Sequence, residues 1–321
     1  MANVGLAGPI GYHGRMKLFL KRLFRGVLGL AALLTLVACA LHLTNSGNEP
    51  VPDPEPGVLR VATYNVHYIV LRAETGPWSV GDWERRKGPL DDAFKTLGAD
   101  VIGFQEMESF GGGHQSGINL TLEHLLDRNP GYAAAAVGDP ALFPSTQPIL
   151  YRTDRLSLVD QGWFFFSDTP DVIYSRTFNG SFPAFASWAR FREGDGAEFL
   201  VMNVHFEYSS ASNRLLSAEL VVDRLQPFLQ EGLPVILLGD LNARLGSRTH
   251  DILAGAGLDF APVEGATYHF DRGINLFGAI DHIGVTPQLA FAREPVVLRR
   301  QFRDEWPTDH YPVLVDIALP H

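Results

Sequence analysis

The sequence predicts one α/β domain, with helices packed outside β-sheets, behind an apolar N-terminal segment. Three observations predict it. After Gly57 the chain repeats short apolar runs, rich in Val, Ile, Phe and Tyr, each ending on a polar tip. Amphipathic stretches at helical spacing fall between several of these runs. Neither an internal repeat nor an inner linker interrupts the alternation over residues 58–321, so one core with sheets inside and helices outside accounts for the pattern. Composition agrees, since 46% hydrophobic and 19% charged residues in a chain of 321 describe a globular protein, not a disordered one.

Taken in chain order, residues 1–25 form a basic N-terminal region containing Arg15, Lys17, Lys21, Arg22 and Arg25; Met16 is an alternative start. From Gly26 to Leu41 every residue is apolar or small except Thr35. A basic flank followed by an apolar stretch is the pattern of an export signal. Two outcomes fit it. Leu36-Val37-Ala38-Cys39 resembles a bacterial lipoprotein signal, whose cysteine is lipidated and becomes the mature N-terminus. Alternatively, residues 26–43 supply about 18 apolar positions, enough for a retained spanning helix. Either outcome tethers the chain to a membrane, and the positive-inside rule places the body of the protein outside the cytoplasm. Residues 44–57, TNSGNEPVPDPEPG, have nothing to bury and read as an extended, flexible linker.

The body is acidic. Removing the five basic and three acidic residues of positions 1–57 from the totals of 26 and 36 leaves 21 against 33, a formal −12. Such a surface repels polyanions, so tight sequence-independent nucleic-acid binding is disfavoured, although arginines could still form local phosphate contacts. Cys39 is the only cysteine, which excludes an intrachain disulfide. Strands are expected at 59–66, 101–104, 149–151, 185–191, 199–206, 235–238, 280–285 and 312–317. Helices are expected at 82–97, 119–127 and 212–229, the last with Leu215, Leu216, Leu220, Val221, Leu225 and Phe228 at helical spacing.

Six polar clusters sit at the ends of these strands. Asn65, in Thr63-Tyr64-Asn65-Val66-His67, could orient a phosphate oxygen or a metal-bound carboxylate, or satisfy a neighbouring backbone group. Glu106 follows four apolar residues and Gln105, which puts a carboxylate at a sheet edge where a hard cation such as Mg²⁺ binds. Asn203 and His205 share one strand face by period two. Pro234-Val235-Ile236-Leu237-Leu238-Gly239-Asp240-Leu241-Asn242 reads as a strand buried on both faces, then a turn presenting an acid and an amide. An Asx turn is the competing reading there. Asp281 lies between hydrophobes and needs a partner; His310, in Thr308-Asp309-His310-Tyr311-Pro312, supplies one. A buried aspartate orienting a histidine serves acid–base chemistry.

Singly these clusters are weak, but their order, Asn, Gln-Glu, Asn-x-His, Gly-Asp-x-Asn, Ile-Asp-His and Asp-His, resembles the endonuclease/exonuclease/phosphatase superfamily from about Val58 to Leu319. The resemblance implies a four-layer α-β-β-α sandwich, with two mixed, mainly antiparallel sheets packed face to face and helices on the outer sides. It implies metal ligation at Asn65, Glu106 and Asp309, with Mg²⁺ or Mn²⁺ as cofactor. It implies that Asp240 positions or deprotonates the attacking water, Asn242 steadies the phosphoryl group, His310 oriented by Asp281 stabilises its charge, and His205 works from the other side. His67 departs from the family pattern, in which several nucleases carry an acid, and His282 is unusual after the aspartate. By narrower likeness to exported bacterial members, Arg176, Arg214 and His269 are expected at the substrate. The expected activity is phosphoester hydrolysis in a membrane-tethered, monomeric enzyme, on a small or lipid-linked substrate. A non-specific exported nuclease and an inactive binding module are the rivals.

Overall fold

Along the strand Val58–Asn65, side chains alternate between two different interiors. Leu59 and Val61 join one buried cluster with Val201, Ile236, Leu238, Ile283, Val313 and Val315. Ala62 and Tyr64 join another with Leu90, Phe94 and Leu125. The strand Val235–Asp240 divides in the same way, Ile236 and Leu238 to the first cluster, Val235 and Leu237 to a third that contains Val221, Leu225 and Leu253. Because period-two alternation sends neighbours to opposite faces, a strand apolar on both faces must be covered on both. The result is four layers. Two sheets meet face to face, helices Val80–Leu97 and Leu120–Arg128 cover one, and helices Ala211–Gln230 and Arg248–Gly255 cover the other.

The computed structural model describes residues 10–47, 50–111 and 117–319, and divides into two units, Met1–Thr44 and Asn45–His321. The first is a helix, Ile10–Thr44, which begins inside the basic region. Its segment Met16–Thr44 is long and apolar enough to cross a membrane, and its leucines are exposed.

In the second unit, one sheet runs Ala290–Phe291, Val313–Ala318, Val58–Asn65, Val101–Gln105, Ile149–Arg152 and Tyr132–Ala135, with Val296–Val297 also on Val313–Ala318. The other runs Asp259–Phe260, Asp281–Val285, Val235–Asp240, Glu198–His205, Phe185–Glu193 and Leu156–Phe165. Each sheet contains one parallel pair, Val58–Asn65 with Val101–Gln105 and Glu198–His205 with Val235–Asp240; the other neighbours are antiparallel. A parallel pair needs a crossover, and the two long helices supply them. Ser79 caps the first by accepting from the Asp82 N–H at 3.1 Å, and Gly98 ends it in the left-handed region; Ser210 caps the second. Parallel pairing aligns carboxyl ends, so Asn65 lies opposite Gln105 and Asp240 opposite His205.

The expected strands and helices all form. Leu156–Phe165 was not foreseen, because this edge strand exposes Ser157 and Asp160 and its register shifts between Leu158 and Asp160. Arg248–Gly255, short and burying only Thr249 and Leu253, carries too narrow an apolar stripe to read. The linker departs from expectation too. The Ala266 N–H donates to Asn45 O at 3.0 Å, Asn275 Nδ2 to Ser46 Oγ at 2.8 Å and Arg60 Nη2 to Pro52 O at 2.9 Å, so the segment is pinned to the body at several points.

Gly239 shows how tightly the strand before Asp240 is held. Its φ is +145°, and a Cβ there would overlap the Val204 carbonyl of the neighbouring strand. Gly239→Ala is expected to cost about 3 kcal/mol or more, adding backbone strain to overpacking, read as a lower thermal midpoint by circular dichroism.

Candidate active site

The site is the polar end of the inter-sheet face. Inward positions run Leu59, Val61, Thr63, Asn65 on one strand, Phe199, Val201, Asn203, His205 on another and Ile236, Leu238, Asp240 on a third. Each begins apolar and ends polar. Between core and tip lies a buried layer in which Gln105 Nε2 donates to Asn203 Oδ1 at 2.7 Å and to Thr63 Oγ1 at 3.1 Å, while Asn203 Nδ2 donates to Phe104 O at 2.8 Å. These fully buried amides are satisfied by one another and by backbone, which fixes the two sheets in register beneath the tips.

Above that layer six predicted residues form a connected set. Asn65 Nδ2 lies 3.1 Å from Glu106 Oε1 and 3.2 Å from Asp240 Oδ2, bridging the sheets, while its Oδ1 accepts the His67 N–H. His205 Nε2 approaches Glu106 at 3.8 Å and Asp240 at 3.7 Å. His310 Nδ1 is 2.9 Å from Asp281 Oδ2, and its Nε2 is 3.8 Å from Asp240 Oδ2. The expected pairing of Asp281 with His310 is therefore present. Asp240 Oδ1 accepts the Asn242 N–H at 2.8 Å, and Asn242 Nδ2 donates to Phe206 O at 2.9 Å. That is the Asx turn that competed with a catalytic reading, with Asn242 at φ +45°, so this side chain braces the loops around Asp240. Asp309 accepts from Thr308 Oγ1 at 3.2 Å and lies 3.9 Å from His67 Nε2, the departure residue, now placed beside it.

Charge in this centre is lopsided. Burial, then the neighbouring Asp281, pushes the Asp240 carboxyl above its ordinary range, against the pull of His310 and His205. Burial alone would lower His310, but the carboxylates of Asp281, Asp240 and Asp309 hold it well above its ordinary value, so it is an imidazolium near neutrality. Burial would raise Asp309, yet the imidazoles of His310, His67 and His269 bring it below the usual carboxylate range. Asp240, Asp281 and His310 place donor atoms within 4.8 Å of one another. With the His310 proton already serving these two acids, the carboxylates of Glu106 and Asp309 remain to be balanced. Asp281 Oδ1, buried, also has no hydrogen-bond partner among the described residues. Hard oxygen donors in excess of cationic charge fit a divalent ion of the Mg²⁺ type.

The three expected substrate residues divide. Arg214 Nη1 donates to Glu207 O at 2.8 Å and Tyr208 O at 3.0 Å, on the loop after His205, within electrostatic range of Asp240. Arg176 is exposed on a separate loop. His269 is fully buried, stacked on Tyr311 with ring centroids 4.0 Å apart, and its Nδ1 accepts the Gly273 N–H at 3.2 Å; burial holds it down at about 4. Its neighbour Tyr268 faces the centre instead, 5.1 Å from the His310 ring. His282, given no role, spans 3.0 Å from Nε2 to Ala243 O.

Arg86 was not singled out. Its buried guanidinium donates to Val66 O at 2.8 Å, His67 O at 3.2 Å and Pro307 O at 3.3 Å, tying the loop after Asn65 to the loop that carries Asp309 and His310. Arg86→Met is expected to cost about 3 kcal/mol, because three carbonyls lose a charged donor at roughly 1 kcal/mol or more each, and to lower turnover as those loops part; denaturant unfolding and kinetics on the same preparation check both.

Residues 62–310 match a family model described as Endonuclease/Exonuclease/phosphatase family. Among solved structures, an endonuclease/exonuclease/phosphatase family protein from Bacteroides thetaiotaomicron is 27% identical with TM-score 0.69, over 84% of this chain and 100% of that one. A mannosyl-6-phosphatase from the same organism is 28% identical with TM-score 0.67, over 81% and 99%. The catalytic domain of human Nocturnin, at 16% identity and TM-score 0.56 over 83% and 96%, shares the fold. Among curated proteins none matches.

Proposed function

The chain belongs to the endonuclease/exonuclease/phosphatase family, and from that premise we propose that it is a membrane-tethered, extracytoplasmic, divalent-metal-dependent hydrolase of small or lipid-linked phosphoesters. One observation carries the reading: His310, bonded to Asp281 at 2.9 Å, and Asn65, bonded to Glu106 at 3.1 Å, both reach from the first sheet toward one carboxylate of the second, that of Asp240, at 3.8 Å and 3.2 Å.

Asp240 holds the attacking water and takes its proton, a task its raised affinity for protons suits. His310, kept charged by Asp281, presents its Nε2 proton to a phosphoryl oxygen, and its position is set before substrate arrives. His205 answers charge from the other side. Mg²⁺, or Mn²⁺, held by Glu106 and Asp309 with Asn65 beside them, would offset charge on the phosphoryl oxygens. Arg214, within electrostatic range of Asp240, and Tyr268, 5.1 Å from the His310 ring, are the side chains nearest to hand for substrate contacts. The acidic body supports a zwitterionic or singly phosphorylated substrate over a polyanion. The mannosyl-6-phosphatase relative supports testing sugar phosphates first. The full set of acids and imidazoles argues against an inactive binding module.

The test is a panel of sugar phosphates, sphingomyelin and supercoiled plasmid on the full chain with Mg²⁺. Hydrolysis of a small or lipid phosphoester, abolished by chelator and restored by excess Mg²⁺, is expected. Plasmid nicking without it would give the nuclease reading the place of this one, and no turnover of any substrate would leave a binding module.

A further inference from the structure

A second surface is defined by where the chain enters the body. Asn45 is one peptide bond beyond Thr44, the end of the apolar helix, and is already bonded to the body. The Ala266 N–H donates to its carbonyl at 3.0 Å, and its own amide reaches Asn275 O at 3.5 Å. Asn275 Nδ2 donates to Ser46 Oγ at 2.8 Å, and Arg299 Nη1 to Gly47 O at 3.3 Å while its Nε holds Ala266 O at 2.8 Å. Asn275 Oδ1 also accepts from the hydroxyl of Tyr311, next to His310, at 3.3 Å.

The segment so gripped, 266–277, carries an apolar patch. Phe270, Ile274 and Phe277 are 37%, 39% and 44% exposed. Phe270 touches Phe277 at 5.8 Å and Tyr268 at 4.6 Å between ring centroids, and Tyr268 touches His310 at 5.1 Å. Phe270 and Asp271 both have positive φ, +59° and +55°, strain that buried His269 maintains by accepting the Gly273 N–H and taking the Arg272 and Ile274 N–H groups on its carbonyl. A turn held under strain to expose a phenylalanine, with Arg272 and Asp271 both exposed beside it, presents aromatic side chains and a cation whose charge the neighbouring acid offsets, a mix that a membrane surface accepts.

We propose that residues 268–277 rest on the bilayer surface, held there by the docked segment Asn45–Gly47, so that the catalytic opening faces lipid headgroups. Distance separates this from free tethering. Fourteen extended linker residues would let the body range over roughly 45 Å, whereas docking at Ala266 leaves Phe270 within about 20 Å of the exit point along the chain. Lipidation at Cys39 would give the same result, since that residue is six positions before Asn45. The proposal rests on the tethering in the proposed function but not on the reaction.

The test uses the full chain with Cys39→Ala, reconstituted into phosphatidylcholine–phosphatidylglycerol vesicles containing a headgroup nitroxide lipid. A bimane label is placed at Phe277→Cys, at Ile274→Cys, or at Asp195→Cys, in the turn at the far end of the strand that carries His205. Quenching at 277 and 274 is expected to exceed that at 195 by at least about threefold, as for side chains about 5–10 Å into the headgroup boundary. In Asn275→Ala/Arg299→Ala it should fall toward the control. Equal quenching at all three positions, or recovery of a soluble species lacking residues 1–44, would overturn the proposal. Neither readout requires turnover, so loss of the hydrolase reading would be seen separately.

Discussion

Asp240→Asn is expected to lower turnover at least about a hundredfold, the ordinary contribution of a positioned general base, with the protein still folded. The amide keeps the shape that accepts the Asn242 N–H but cannot take a proton from water. Stability should change little, because removing a charge buried at 1% exposure beside Asp281 is offset by putting an amide donor where Oδ2 accepted from Asn65 Nδ2. Kinetics and a thermal melt on one preparation separate the two effects. Undiminished turnover in the folded variant would take Asp240 out of the reaction and leave the Asx turn as its only role.

His310→Ala is expected to cause a loss of similar size, at least about a hundredfold, and Asp281→Asn should show why. Asp281 and its fellow carboxylates hold the folded-state imidazole well above its ordinary 6.5. The stability this contributes is fully present below about 6.5, the unfolded value, and is lost as pH rises through the folded value. Melts of the chelated protein should therefore show the midpoint falling on the alkaline side, and Asp281→Asn should move that fall toward lower pH. An NMR titration of His310 in the same chelated samples reads the shift directly. If Asp281→Asn leaves the titration in place, the ion pair is not what charges the imidazole. The double variant should be no slower than the worse single one, since the two residues act as a unit.

How far the sequence revealed this depends on what each residue contacts. Asp240, Glu106 and His310 were legible because the order of six singly weak polar clusters along the chain resembles that of the family; strand parity alone placed them near strand ends and could not have given them roles. Arg86 was illegible because a cation within a helix reads as a solvated face; only tertiary structure shows three carbonyls gathered around it. His269 was expected at the substrate from the likeness of its segment, and the structure buries it and puts Tyr268, which had no assigned role, beside His310. Alternation tells which two residues point apart, not which points inward, and the stack on Tyr311 decides it. The linker looked free because its composition gives it little to bury, while much of its attachment runs through groups more than two hundred positions away, the Ala266 N–H and the side chains of Asn275 and Arg299.

The first strand of the body, Val58–Asn65, pairs along its whole inner run with the last, Val313–Ala318. During synthesis, the N-terminal half of that partnership waits until nearly every residue has been made. Asp309 and His310 are joined to Asn65 by that late pairing and by the Thr308 hydroxyl on the Asn65 carbonyl at 3.1 Å. A growing chain therefore has neither a closed first sheet nor a complete set of acids and imidazoles. The cluster is complete only once the last strand has been made and has paired with the first, so it is assembled at the end of folding and not at its start.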